Sequence, residues 1–241
     1  MTALRAFPGF FRHVAVIRGA ATCLAVAMIA LFLAAVPGRP AAAALRGEEL
    51  VEEARFTLER MRADPGMPEF QRYLERARGV LIIPELVKGG FIIGAEGGSG
   101  VLLVRGADGT WSPPAFYTLA AGSIGLQIGG QVSEVVFVLM SDEAINAFMN
   151  DEFKLGADAS VAMGPLGAGV EASATTNLDV DIYAFSRAVG LFGGGALEGA
   201  KIIARTLWND EYYGAKTTPR EIVIERKFFN PQADALRKAL P

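Results

Sequence analysis

Asp179 and Asp181 have the spacing at which two side chains can share work. They stand two residues apart in Thr176–Tyr183, a run with strand character, so both project from one face. Paired carboxylates bind Ca²⁺ or divide the roles of general acid and general base. A calcium site needs further oxygen ligands, and none can be assigned around this pair, so a solvated strand face is the preferred reading. A second stretch, Gly94-Ala-Glu-Gly97-Gly98-Ser-Gly100, has the glycine density of a phosphate-cradling loop. It lacks a Gly-Lys-Ser/Thr and a strand–helix–strand setting, and reads as a glycine-rich β-turn. The only histidine, His13, and the only cysteine, Cys23, both lie near the N-terminus. Residues 45–241 therefore cannot build Ser-His-Asp or Cys-His nucleophile systems or the usual zinc sites. No nucleotide or haem signature appears. The expectation is a protein that is not an enzyme, with no catalytic residue, no metal and no cofactor.

The N-terminal segment has an order of its own. Met1–Arg18 carries Arg5, Arg12 and Arg18 and no acid, Gly19–Val36 is apolar, and Ala41-Ala42-Ala43-Ala44 follows. That succession is the pattern of a secretory signal peptide, with cleavage expected after Ala43 or Ala44. The chain is then expected to be exported, periplasmic or secreted, and peripheral to a membrane. Retention of the segment as a membrane anchor is the alternative. Cys23 stands near the start of the apolar run rather than just past its end, which argues against a lipoprotein. Cleavage removes four arginines and no acid: Lys+Arg falls from 23 to 19 against 26 Asp+Glu, and net charge moves from −3 to −7. Such a domain offers no bulk attraction to nucleic acid or to an anionic membrane. It has no disulfide, so its stability must come from a core, and about 200 residues suffice for one. The expected domains are the signal peptide 1–44, a helical segment 45–78 and a β-rich domain 79–241, the last two forming one globular unit.

The elements that must position any site follow from periodicity. Leu50, Val51, Ala54, Leu58 and Met61 form a helical stripe within Glu48–Arg62, which Asp64-Pro65-Gly66 ends. A short second helix is predicted from Pro68 to Arg78; it carries Arg72, Arg76 and Arg78, read as a solvated basic face. The texture then becomes β. Val80–Ile83 is a strand closed by Pro84, Phe91–Ile93 and Val101–Val104 are two more, and Asp108-Gly109 marks a hairpin turn. Ala115–Tyr117 resumes the sheet, and Val135–Met140 should be a central buried strand. Ser141 can cap a short helix whose first turn holds Asp142 and Glu143. Leu155–Ala174 is a run of small residues, either tight sheet packing or a groove floored by exposed backbone. Residues 195–206 stay open between strand and helix. Asn209–Gly214 looks like a helical turn closed by glycine, Thr217–Arg220 like a loop, Ile222–Ile224 like a last apolar piece, and Pro231–Leu240 like a weak helix. The fold class is α+β: N-terminal helices followed by a glycine-rich, mainly antiparallel β-sheet curled into a barrel or sandwich.

The stretch Ile182–Arg205 carries a resemblance. Its Ser186-Arg187, Gly190-Leu191-Phe192 and Leu197-Glu198-Gly199 resemble the signature of the SYLF family, also called the Ysc84 type, a lipid-binding and actin-associated domain. Gly79–Arg105, Gly122–Met140 and Lys154–Gly169 resemble further family segments in the family's order. By that resemblance the chain is identified as an exported, bacterial-type member. The resemblance implies a non-catalytic module at the cell envelope that binds a phospholipid or other membrane lipid, of the phosphoinositide or anionic class. Actin association follows only by analogy with some relatives, and nucleic acid is not implied. The alternative is an envelope structural or protein-interaction module, with an envelope protein partner and incidental lipid affinity. Arg187 matches the Ser-Arg of the signature and Lys88 the lysine of Pro84-Glu-Leu-Val-Lys-Gly-Gly. These are the candidate headgroup contacts, with Lys201 and Arg205 as weaker ones. Gly164, Gly167, Gly193, Gly194 and Gly195 are the candidate groove. Ala168 stands where related sequences often carry a basic residue.

Overall fold

The apolar stripe of the first helix is buried as its spacing dictates. Helix α1 spans Pro40–Ala63, and Leu50, Val51, Ala54, Leu58 and Met61 all face the core. On its outer side Arg55 bridges Glu52 and Glu59, pairs that add a few tenths of a kcal/mol each. The helix stops where Asp64 Oδ1 accepts the Gly66 N–H at 2.8 Å. Helix α2 (Phe70–Arg76) follows and buries Phe70 and Leu74. This is a computed structural model that describes residues 40–90, 93–124, 129–150, 152–164, 180–189 and 199–241. No helix among them is long and apolar enough to cross a membrane.

The sheet has eight strands: β1 (Gly79–Gly90), β2 (Ile93–Val104), β3 (Ala115–Ile124), β4 (Gly129–Leu139), β5 (Glu152–Lys154), β6 (Val161–Met163), β7 (Ile182–Val189) and β8 (Lys201–Ala204). Their order is β5-β8-β3-β2-β1-β4-β7-β6, and every pairing is antiparallel except β6 with β7. The α+β expectation holds, in the form of one sheet curled into a half-barrel rather than a closed barrel or a sandwich.

Pro84 does not end its strand. β1 runs through it, and the register against β2 and β4 slips by a bulge at residues 82–86. A bulge is where a strand tolerates a residue without an N–H. Its consequence falls on β2, which is continuous strand where a glycine-rich turn was predicted. A Cβ on Gly98 would sit 2.5 Å from the Glu85 carbonyl oxygen, and one on Gly100 would sit 2.6 Å from that of Ile82.

Both faces of the sheet are covered, by different elements. Val80, Ile82, Val101, Leu103, Phe116, Val136, Val138 and Phe185 lie under α1 and α2. The residues of opposite parity, among them Leu81, Leu102, Tyr117 and Phe137, pack on helix α3 (Asp142–Phe148) and on Ile222 and Val223. Ser141 caps α3 as its sequence suggests, accepting the Ala144 N–H at 3.0 Å. After β8 the chain enters helix α4 (Thr206–Tyr213), closed by Gly214 in the left-handed conformation. The stretch left open is thus strand and then helix. Thr217–Arg220 is not a plain loop: Thr218 and Glu221 form a capping box, and Pro219–Val223, which takes in most of the apolar piece Ile222–Ile224, is helix α5. A short 3₁₀ turn and helix α6 (Asp234–Ala239) return to the α1 face, where Trp111 Nε1 donates to the Pro241 carbonyl at 2.8 Å.

Candidate functional site

Strand alternation and register place one polar row across the α1 face. Thr118 of β3 pairs with Ser99 of β2, Ser99 with Glu85 of β1, and Glu134 of β4 with Arg187 of β7; the bulge sets Glu85 next to Glu134. The row begins where the apolar core under α1 ends. Helix α1 lies across these strands, and the flank it turns to the row carries Arg46, Glu53, Thr57 and Arg60, spaced at helical steps, with Asp64 just past its end. Helix and sheet therefore meet along a charged seam.

The seam is closed at its β7 end. Glu134 accepts from Arg60 Nε at 2.7 Å, from Arg187 Nη1 at 3.2 Å and from Thr57 Oγ1 at 3.2 Å, while Arg187 Nε also reaches Asp64 at 3.2 Å. In the middle it opens into a cleft of about 320 Å³, bounded by Glu53, Glu85, Pro84 and Val132. Burial, and then the charges of Glu85 and Glu49, push the Glu53 carboxyl up, only partly opposed by Arg60. At the β3 end stands Arg205. Its Nη1 donates to Ser99 Oγ at 2.7 Å and Thr118 Oγ1 at 3.3 Å, and its guanidinium lies 3.5 Å from the Trp208 ring centroid. Burial, and then the charge of Arg46, push the Arg205 pKa down.

The residues singled out from sequence do not form one cluster. Arg187, Lys201 and Arg205 share the α1 face, because Lys201 pairs with Ala120 beside Thr118. Three strand spacings separate Arg187 from the Ser99 that Arg205 holds, roughly 14 Å. Lys201 is bridged to Glu152 at 2.7 Å. Lys88 has the parity of Leu86 and lies on the opposite face, 3.7 Å from Glu96, whose carboxyl burial raises against the pull of Lys88. Gly164 is buried, and a Cβ there would sit 2.5 Å from the Phe185 ring, so at this position the small residue serves packing rather than a groove. Gly167, Gly193, Gly194 and Gly195 lie outside the described residues, as does Asp179. Sequence reasoning missed Arg46, Ser99, Thr118, Glu134 and Trp208. For Ser99, Thr118 and Glu134 the signal was present: each of these strands carries a polar residue at the parity of its buried residues, where the α1 core stops.

Asp181 is occupied by the fold. Its Oδ1 accepts the Ser141 hydroxyl at 2.6 Å, and its Oδ2 accepts the Ser160 hydroxyl at 2.7 Å and the Ser160 N–H at 3.0 Å. Burial works against ionisation, but these hydrogen bonds outweigh it and hold the carboxyl below the usual range. A depressed carboxylate stabilises the fold fully above its unfolded pKa of about 3.9, and this contribution is lost as pH falls through the folded value. Asp181→Asn should cost about 1 kcal/mol at pH 7, allowing for partial exposure. Urea unfolding at pH 7 and near pH 2.5 checks this: the gap to the parent must narrow in acid, and an equal gap at both would show that the charge is irrelevant.

Comparison with known proteins bears on this geometry. Residues 120–241 match the Ysc84 family, described as "Las17-binding protein actin regulator". Protein YSC84 of Saccharomyces cerevisiae is 38% identical over 181 residues, covering 74% of this chain and 38% of that protein. LAS seventeen-binding protein 3 of the same yeast is 35% identical over 170 residues, 69% of this chain and 37% of that protein. The human SH3 domain-containing YSC84-like protein 1 is 35% identical over 141 residues, 58% of this chain and 41% of that protein. The chain thus spans about two fifths of the length of these relatives.

These relatives correct two expectations. They are eukaryotic proteins of an actin-regulator family, which overturns the reading of an exported, bacterial-type member that is periplasmic, secreted or membrane-anchored. The cleavage point expected after Ala43 or Ala44 also falls inside α1. The family is described by a protein partner and by actin, not by a lipid, so a lipid-binding module at a cell envelope gives way to the protein-interaction alternative. The expectation of no enzymatic activity stands with that description, which is of a binding protein and regulator. By its family match over the C-terminal half and its likeness to yeast and vertebrate members, the chain belongs to the Ysc84 family.

Proposed function

We propose that this chain is a non-catalytic protein-interaction module of actin regulation, with the helical segment 45–78 and residues 79–241 acting together as one docking body. The observation that carries the reading is the seam between α1 and the sheet. Its charges cancel at Glu134 and are left unmatched elsewhere, with Glu53 and Glu85 in the cleft and Arg46 and Arg205 at the β3 end. Glu53, Glu85 and Arg46 stand in solvent, but Arg205 is half-buried, and a seam built for stability alone would pair it, since unmatched, partly buried charge costs stability. Exposed apolar side chains accompany it: Val87 and Val132 face each other across β1 and β4 beside the cleft. Apolar anchors ringed by charge suit a protein partner. The Las17 binding and actin regulation in the family's description supply the partner class.

Actin filaments and purified Las17 are the probes. The full chain should co-sediment with filaments, or bind immobilised Las17, in a saturable manner that weakens as salt rises. A chain that stays in the supernatant with filaments and also ignores Las17 would overturn the reading.

A further inference from the structure

Arg205 has an unused edge. Its Nη1 hydrogens are taken by Ser99 and Thr118, while Nε and Nη2 have no acceptor among the described residues. Those two groups form the side of a guanidinium that meets a carboxylate with two parallel hydrogen bonds. Trp208 covers the planar face and takes up neither of these donors, because stacking and edge hydrogen bonding use different parts of the group. No carboxylate of the described residues forms an ion pair with Arg205, and Arg46, its charged neighbour, makes no hydrogen bond or ion pair there either. The two hydroxyls fix the guanidinium so that little rotamer freedom remains to be lost on binding. Leu45 and Leu207, adjacent in sequence to Arg46 and to Trp208, are among the most exposed apolar residues of the chain, at 59% and 74%. We infer that Arg205, backed by Trp208 and Arg46, is the docking point for an aspartate or glutamate side chain of a protein partner, with apolar neighbours of that residue resting on Leu45 and Leu207. Charge complementarity selects the acid, and the fork selects a planar carboxylate. The inference rests on the protein-interaction reading and gives it a contact.

The probe is N-acetyl-leucyl-glutamate amide, with N-acetyl-leucyl-glutamine amide as its uncharged twin, titrated into the full chain. The indole N–H signal of Trp208 reports binding, assigned as the one lost in Trp208→Phe. The glutamate peptide should shift that signal saturably and the glutamine peptide should not. Arg205→Lys keeps the charge and removes the fork, and should weaken binding by about tenfold or more. Arg46→Gln, at an exposed position whose side chain makes no hydrogen bond or ion pair among the described residues, should weaken it only about two- to threefold. Equal shifts from both peptides, or full binding by Arg205→Lys, would overturn the inference. So would a stronger response to inorganic phosphate than to the glutamate peptide, which would mark a free-anion site. Filament co-sedimentation of the same variants separates the two levels. Peptide binding without filament or Las17 binding sinks the broader reading and leaves the contact. Partner binding that Arg205→Lys does not change sinks the contact and leaves the broader reading.

Discussion

Replacing Phe116 with alanine is expected to cost about 3–5 kcal/mol of folding stability, a midpoint loss of roughly 10 °C for a chain of this size. The residue is fully buried, and its ring meets Tyr212 edge-on at 4.9 Å and Trp208 at 6.3 Å. Helix α1 comes so close that a Cβ on Gly47 would lie 3.2 Å from the Phe116 ring. The Phe116 backbone joins the same junction: its N–H donates to Asn209 Oδ1 at 2.7 Å, and its carbonyl accepts the Arg205 N–H at 2.9 Å. Loss of the ring removes the surface on which α1, β3 and α4 meet, so the Trp208 signal should move together with stability. Phe148→Ala is the matched comparison. Phe148 is equally buried on the α3 face, against Tyr117 at 5.5 Å and Phe153 at 4.4 Å, and its loss should cost a similar amount while leaving Trp208 undisturbed. Urea unfolding and the indole spectrum of both variants decide the matter. A cost below about 1 kcal/mol for Phe116→Ala, or an equal disturbance of Trp208 by both, would refute this account of the junction.

The helices and the sheet were legible because their signals are local. The stripe from Leu50 to Met61, the Ser141 cap, the Asp108-Gly109 turn and Gly214 each act within a few residues, and the structure bears each of them out. One failure occurred where distant contacts overrode a local rule. Pro84 reads as the end of a strand, but pairing on both sides of β1 keeps the strand going and absorbs the proline in a bulge. Another miss was local: Thr217–Arg220 reads as a loop, but the capping box of Thr218 and Glu221 starts a helix there. The half-barrel could not be told from a closed barrel because strand order depends on pairings far apart in sequence, such as β3 with β8.

The site was legible only residue by residue. Arg187 and Arg205 stand out as basic residues in an apolar stretch, yet their situations differ. Arg187 is held by Glu134 and Asp64, from 53 and 123 residues away, whereas the acceptors of Arg205 are hydroxyls. Lys88, two residues beyond Leu86, was consigned to the other face by parity that the bulge at Pro84 resets. Which cation keeps a free edge is thus decided by tertiary partners, and no spacing rule encodes it.

Gly98→Ala and Gly100→Ala are expected to destabilise the fold by about 1–3 kcal/mol each, while Gly89→Ala should be neutral or stabilising by up to about 1 kcal/mol. All three are strand glycines, and nothing in the sequence separates them. The added methyl groups at 98 and 100 would run into the Glu85 and Ile82 carbonyl oxygens, backbone atoms of the bulge that cannot rotate away as a side-chain tip can, and into the buried Ile83 side chain. At Gly89 a Cβ would meet nothing within 4 Å, so there the substitution acts mainly by restricting the unfolded chain. The contrast tests the claim that the Pro84 bulge, rather than β-sheet flexibility in general, demands glycine opposite it. Thermal unfolding of the three variants is sufficient. If Gly89→Ala is as damaging as Gly100→Ala, the glycines are needed for backbone freedom throughout, and the bulge is not the cause. If only Gly98 and Gly100 are sensitive, the bulge accounts for the glycines of β2 next to it. It is also what sets Glu85 beside Glu134, so the distortion that demands glycine on one strand also brings the two carboxylates together at the cleft.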